Sequence, residues 1–239
     1  MNDSLETISQ IPSLRELKMS DNLLTGELTF IDSLTSLEAL DVSSNKLSVL
    51  PDEIRQLVKL RSLNLSNNQL TELPMDELSG LPLVELVASK NKLSGSLFTR
   101  PGTRMDRLSV LDVSVNSLSA IYTGSAGPEF PSLRVLNIAF NAVTSLPDIT
   151  AWTALTTILA EDNKLTALPE GFLESASLRT VDLTGNDLNK LDERIALMDG
   201  LESFKVAANP LRERKFLTMS TAELKKELSA RLDPAGFVN

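Results

Sequence analysis

The chain has 239 residues, 42% of them hydrophobic and 23% charged, with 32 acidic against 23 basic side chains and a formal charge of −9. That balance fits a folded globular chain and opposes a general nucleic-acid role, which rests on neutralising phosphates. Cysteine and histidine are both absent, which excludes disulfides, thiol nucleophiles, the usual zinc ligand sets and histidine acid/base chemistry.

Residues 1–13 carry Leu5, Ile8 and Ile11, followed by Leu14, at steps of three. They are expected to form the back half of an earlier repeat or a weak N-terminal cap. They lack the basic start and apolar run of a secretory signal. No stretch approaches the roughly 18 apolar residues of a membrane span, so no membrane association is expected.

From Leu14 to Leu211 one unit recurs nine times, with the pattern L-x-x-L-x-L-x-x-N-x-L matched at every defined position by Leu60 to Leu70. The Asn falls at 22, 45, 68, 91, 116, 141, 163, 186 and 209, giving steps of 23, 23, 23, 25, 25, 22, 23 and 23. Such a period means stacked supersecondary units that bury their apolar faces against one another. Pattern positions four and six are apolar in every copy, from Leu17 and Met19 to Phe204 and Val206. This period-two alternation predicts a short strand per repeat with those side chains inward, and side by side the strands make a parallel sheet. The Asn turns the chain at the end of each strand, and its amide can satisfy backbone groups left unpaired there. Nine copies predict a buried amide ladder.

The chain returns over the other face through segments such as Leu50 to Leu57 and Leu168 to Phe172, whose Pro and three-residue spacing suit short helical or 3₁₀ turns. Residues 94–107 and 119–132 are each two residues longer and are expected to be surface loops that absorb the extra length cheaply. Trp152 is expected to fill the core rather than anchor a partner. Beyond Leu211 the period stops. Ser220 to Glu223 has the form of a capping box, and Leu224, Leu228 and Leu232 share one helical face ended by Pro234 and Gly236. Residues 212–239 are thus expected to form a C-terminal cap, with a helix at about 221–232 covering the last repeat.

On these motifs the chain resembles leucine-rich-repeat proteins. The return segment Leu50 to Leu57 looks like that of the intracellular Ras-group type, whose members act as scaffolds near small GTPases and protein phosphatases. Leu24-Thr25-Gly26-Glu27-Leu28 and Leu93-Ser94-Gly95-Ser96-Leu97 look more like the plant type. The resemblance implies an α/β leucine-rich-repeat solenoid, a curved horseshoe with its parallel sheet on the concave side, short helical or 3₁₀ segments on the convex side and a capping helix. Extracellular relatives commonly close their ends with cysteine pairs, so the missing cysteines favour a cytoplasmic location.

With positions four and six inward, positions three, five and seven face a partner. Position five holds Asp41, Asn64, Val87, Asp112, Asn137, Leu159 and Asp182, between Lys18 and Lys205 at the ends. Position three adds Val110 and Val135, and Phe140 follows the sixth strand. Val87, Val110, Val135 and Leu159 make an apolar zone on a polar sheet, a mark of a partner site, although Val suits any strand. Asp41, Asp112 and Asp182 lie three repeats apart, roughly 14 Å on a parallel sheet. That is too far for an acid/base pair, whose carboxyls lie within about 5 to 10 Å. The expected function is a non-enzymatic interaction scaffold, monomeric and without cofactor or metal, that binds a protein on its concave face. The alternative is a regulatory or targeting segment of a larger kinase, cyclase or ligase.

Overall fold

The computed structural model describes residues 8–26, 28–124 and 127–232. Leu5, Pro234, Gly236 and Glu27 of the Leu24 to Leu28 segment lie outside the described residues. Nine parallel strands form one sheet: β1 (Glu16–Lys18), β2 (Ala39–Asp41), β3 (Ser62–Asn64), β4 (Glu85–Val87), β6 (Val110–Asp112), β8 (Val135–Asn137), β9 (Thr157–Leu159), β10 (Thr180–Asp182) and β11 (Ser203–Lys205). Every pairing is in register, position three on three and five on five, as from Glu85↔Val110 to Val87↔Asp112. A slip of one residue would move every buried leucine to the solvent face, so the hydrophobic alternation fixes this register.

The central residue of each strand points into the core, and from Leu17 to Phe204 all nine are at most 9% exposed. The turn after each strand has a fixed construction. The residue before the ladder Asn is left-handed in all nine copies: Asp21, Ser44, Asn67, Lys90, Val115, Phe140, Asp162, Gly185 and Ala208, with φ between 50° and 68°. That turn brings the amide of the following Asn beneath the sheet. Asn68 is representative: its Oδ1 accepts from Leu47 N at 3.0 Å. Its Nδ2 donates to Val42 O at 3.0 Å in the preceding repeat and to Leu65 O at 3.1 Å in its own. Asn45, Asn91, Asn116, Asn141, Asn163, Asn186 and Asn209 repeat both cross-repeat bonds. Asn22 bonds Met19 O and Ser20 O of its own turn and is exposed.

The convex side is more varied than its sequence pattern predicts. 3₁₀ turns at Thr29–Ser33, Asp52–Gln56 and Glu193–Leu197 and a short helix α1 (Met75–Ser79) fit the expectation of tight return segments. Leu168 to Phe172 instead forms an irregular turn through Gly171 at φ 78°. A Cβ there would meet the backbone N of Thr150 at 2.6 Å, so the close approach requires glycine. The two longer return segments are not simple loops. They begin with β5 (Ser94–Phe98) and β7 (Ser117–Tyr122), which pair in parallel as a second sheet with an irregularity at Gly95/Ser96. Leu97, Phe98, Leu118 and Ile121 turn into the core while Ser94, Ser117 and Ser119 stay exposed, so core packing and the parallel partner hold these strands without a regular two-residue alternation.

Beneath this second sheet Phe98, Phe130 and Trp152 stack at centroid distances of 5.3 and 5.0 Å. Trp152 is buried as expected, and its Nε1 donates to Pro128 O at 2.8 Å. At the other end lies the helix α2 (Thr221–Ser229) with the capping box formed by Ser220 and Glu223. Leu224 and Leu228 are buried. Thr221 Oγ1 accepts from Phe204 N at 2.8 Å, so the cap satisfies a donor that the last strand would otherwise leave free.

Candidate functional site

The structure brings the expected site residues onto one face. Asp41, Asn64, Val87, Asp112, Asn137, Leu159 and Asp182 form a single row in register across β2, β3, β4, β6, β8, β9 and β10. Val110 and Val135 are direct partners in the adjacent row. A depression of about 300 Å³ crosses the first four strands, lined in part by Asp41, Asn64 and Val87.

Most of the polar members are committed to their own turns. Asp41 Oδ1 accepts from Ser43 N and Oγ at 2.9 and 2.6 Å. Asn64 Oδ1 accepts from Ser66 N and Oγ at 3.1 and 2.8 Å. Asp112 Oδ1 accepts from Ser114 N and Oγ at 2.9 and 2.7 Å. This Asx-turn arrangement ends the strand, which gives these side chains a structural duty and leaves the second carboxylate oxygen of each Asp outside the turn. Asp182 is the most enclosed. Burial by itself would raise its pKa, but hydrogen bonds from Thr184 and the contact with Lys205 outweigh this and hold the carboxyl below its ordinary range. Its Oδ2 lies 3.0 Å from Lys205 Nζ.

The middle of the face differs. Asn137 Nδ2 donates to Asp112 Oδ2 at 3.1 Å across β6 and β8. Repeat six has Ala139 where repeats two, three and five carry Ser43, Ser66 and Ser114, so Asn137 Oδ1 accepts from Ala139 N, at 3.2 Å, without a hydroxyl beside it. Around this polar pair the register sets an apolar rim. Val110 and Val135 lie on one side, Val87 flanks Asp112, and Leu159 flanks Asn137. On the remaining side the strands run into the corners at Val115 and Phe140, which are 42% and 48% exposed. Phe140 belongs to the sequence expectation. Val115 does not, although its signal is visible: the residue before the ladder Asn is polar or small in every other copy except Phe140.

Those two corners are conformationally costly. A left-handed backbone disfavours any residue with a Cβ, and bulky or β-branched ones most. Asn67, Asp21 and Gly185 suit the position; Val115 and Phe140 do not, yet they adopt φ of 54° and 56°. The cost is held by the ladder on either side, where Asn116 N donates to Phe140 O at 3.1 Å. Strain of this kind at an exposed apolar position points to a surface used for contact. Among the described residues no group of three or more His, Cys, Asp or Glu could hold a metal ion. No helix among them is long and apolar enough to cross a membrane.

Comparison with known proteins fits this architecture. A family model described as leucine rich repeat matches residues 35–93. Curated proteins give no sequence match. Among solved structures, the functional domain of InlJ from Listeria monocytogenes is similar with a TM-score of 0.61 at 24% identity, over 91% of this chain and 48% of that one. The present chain therefore spans about half the length of that structure. A leucine-rich-repeat protein of Leptospira interrogans (TM-score 0.46, 21% identity, 95% of this chain and 74% of that one) and the internalin InlF of Listeria monocytogenes (0.47, 17%, 90% and 77%) are more distant. The InlJ domain includes a cysteine ladder, whereas this chain has no cysteine and builds its ladder from asparagine. Repeat pattern, sheet register and fold likeness agree on the fold: nine parallel strands form a leucine-rich-repeat solenoid, and residues 35–93 match the repeat itself.

Proposed function

We propose that this chain is a non-enzymatic scaffold that binds a partner protein on the concave face, over the strands of repeats four to seven. The observation that carries the reading is the apolar rim of Val87, Val110, Val135 and Leu159 around the Asp112–Asn137 pair, open toward Val115 and Phe140. Desolvated apolar contacts supply affinity at such a face, and the central polar pair selects for a partner that presents a matching donor and acceptor. Asp41, Asn64 and Asp182 lie along the same row and border the contact; Asp41 and Asn64 suit a basic rim on the partner, while Asp182, enclosed and paired with Lys205, ends the row.

Small GTPases and protein phosphatases are the partner classes we put forward, on the resemblance of the Leu50 to Leu57 segment to the Ras-group repeat. We place the protein in the cytoplasm, which suits the absence of cysteine, and propose that it acts as a monomer. The test is affinity capture from a cytosolic extract with wild type and with a folded Val87→Arg, Val110→Arg, Val135→Arg variant. Partners captured by wild type are expected to be lost. Retention of every partner by the variant would rule out this face.

A further inference from the structure

A second surface lies away from the concave row, on the edge where the return segments feed into the strands. A groove of about 530 Å³ runs there across repeats two to four. Leu81 and Met105, both buried, close its floor, and the exposed apolar side chain on its lip is Val58, at 63% exposure. Lys59 and Arg61 stand at one end and Arg104 and Arg107 at the other. Two anions also reach the groove, and both are already matched. Glu38 pairs with Arg15 at 3.6 Å, and Asp106 with Arg104 at 2.6 Å, while Arg104 also contacts Glu129.

Lys59, Arg61 and Arg107 have no ion pair or side-chain hydrogen bond among the described residues, and all three are exposed. Three uncompensated cations gathered in one groove stand out on a chain of net charge −9. A purely polyanionic ligand would use the cations and leave the exposed Val58 without a partner. An acidic polypeptide uses both. We propose that this groove docks an acidic segment of a partner protein, with carboxylates at both ends meeting Lys59/Arg61 and Arg107 and an apolar side chain packed against Val58. The surface is separate from the concave face, so either site can fail without the other.

The test is fluorescence anisotropy of the full chain with a capped, dye-labelled peptide Glu-Glu-Leu-Glu-Glu. Saturable binding is expected, weakening with added salt because the pairs are exposed. Binding should fall about tenfold for a Lys59→Glu, Arg61→Glu, Arg107→Glu variant, and less for the matching triple Gln variant, which guards against misfolding of the first. Replacing the peptide's Leu by Gly should also weaken it. The proposal is overturned if no saturable binding appears up to about millimolar peptide. It is equally overturned if the charge-reversed variant or a Gln-Gln-Leu-Gln-Gln peptide binds as well as the original pair. Loss of binding in an Arg212→Glu, Arg214→Glu variant would place the site at the C-terminal cap instead, and stronger binding of oligothymidylate than of the peptide would reject a polypeptide ligand.

Discussion

Val115 and Phe140 occupy the same corner of adjacent repeats, both left-handed with φ of 54° and 56° and both with much of their side chains in solvent. Each leaves close to half of its surface in solvent, so burial offsets the backbone cost only in part. Val115→Asn and Phe140→Asn are each expected to raise stability by about 1 kcal/mol, since Asn tolerates this conformation. Urea unfolding measures the shift. The same changes should weaken partner capture if the corner belongs to the binding face. An unchanged or lowered midpoint would mean that the corner is not strained.

The asparagine ladder makes a contrast between its end and its middle. Asn68→Ala leaves Leu47 N without its acceptor and takes from Val42 O one of its two amide donors, the other being Asn45 Nδ2; it is expected to cost about 2–3 kcal/mol, because a buried backbone N–H is left unpaired where water cannot reach it. Among the described residues, Asn22→Ala removes bonds within an exposed turn and should cost below about 1 kcal/mol. Equal losses in chemical denaturation would contradict the ladder as the source of stability.

Asp182 ties acid stability to the sheet. Its folded-state pKa is held below the ordinary 3.8, with burial opposed by bonds from Thr184 and Lys205. A depressed carboxyl pKa stabilises the fold above the unfolded value, and this contribution is lost as pH falls through the lower folded value. Asp182→Asn is therefore expected to cost about 1 kcal/mol at neutral pH. The gap should close as pH drops below that of the unfolded carboxyl. The Lys205 side chain is 64% exposed, so salt should shrink its share. A gap that stays constant across the acid range would separate Asp182 from this linkage.

The repeat was legible because each unit repeats the same local problem. Leu63 inward, Asn64 outward and Asn68 at the turn follow from period-two alternation and from the need to satisfy a chain reversal, and both are written in adjacent residues. The row from Asp41 to Asp182 was legible for the same reason, since equal spacing in sequence becomes equal height in the sheet. The sequence alone also specified the cap: Ser220 to Glu223 forms its box, and Leu224 and Leu228 face the last repeat. What it did not reveal were relationships between units. Ser94–Phe98 and Ser117–Tyr122 each look like loop until they lie side by side, because a strand is stable only when its neighbour accepts its hydrogen bonds. Likewise Val115 breaks the polar-or-small pattern before the ladder Asn, but its left-handed backbone and exposed side chain, in contrast to the buried Val113 two residues earlier, come only with the structure. The cations Lys59, Arg61 and Arg107 are up to 48 positions apart (107 minus 59) and become one groove only when stacking brings repeats two to four together. Local chemistry determined the unit; stacking, which sets distance between residues far apart in the chain, decided what the units share.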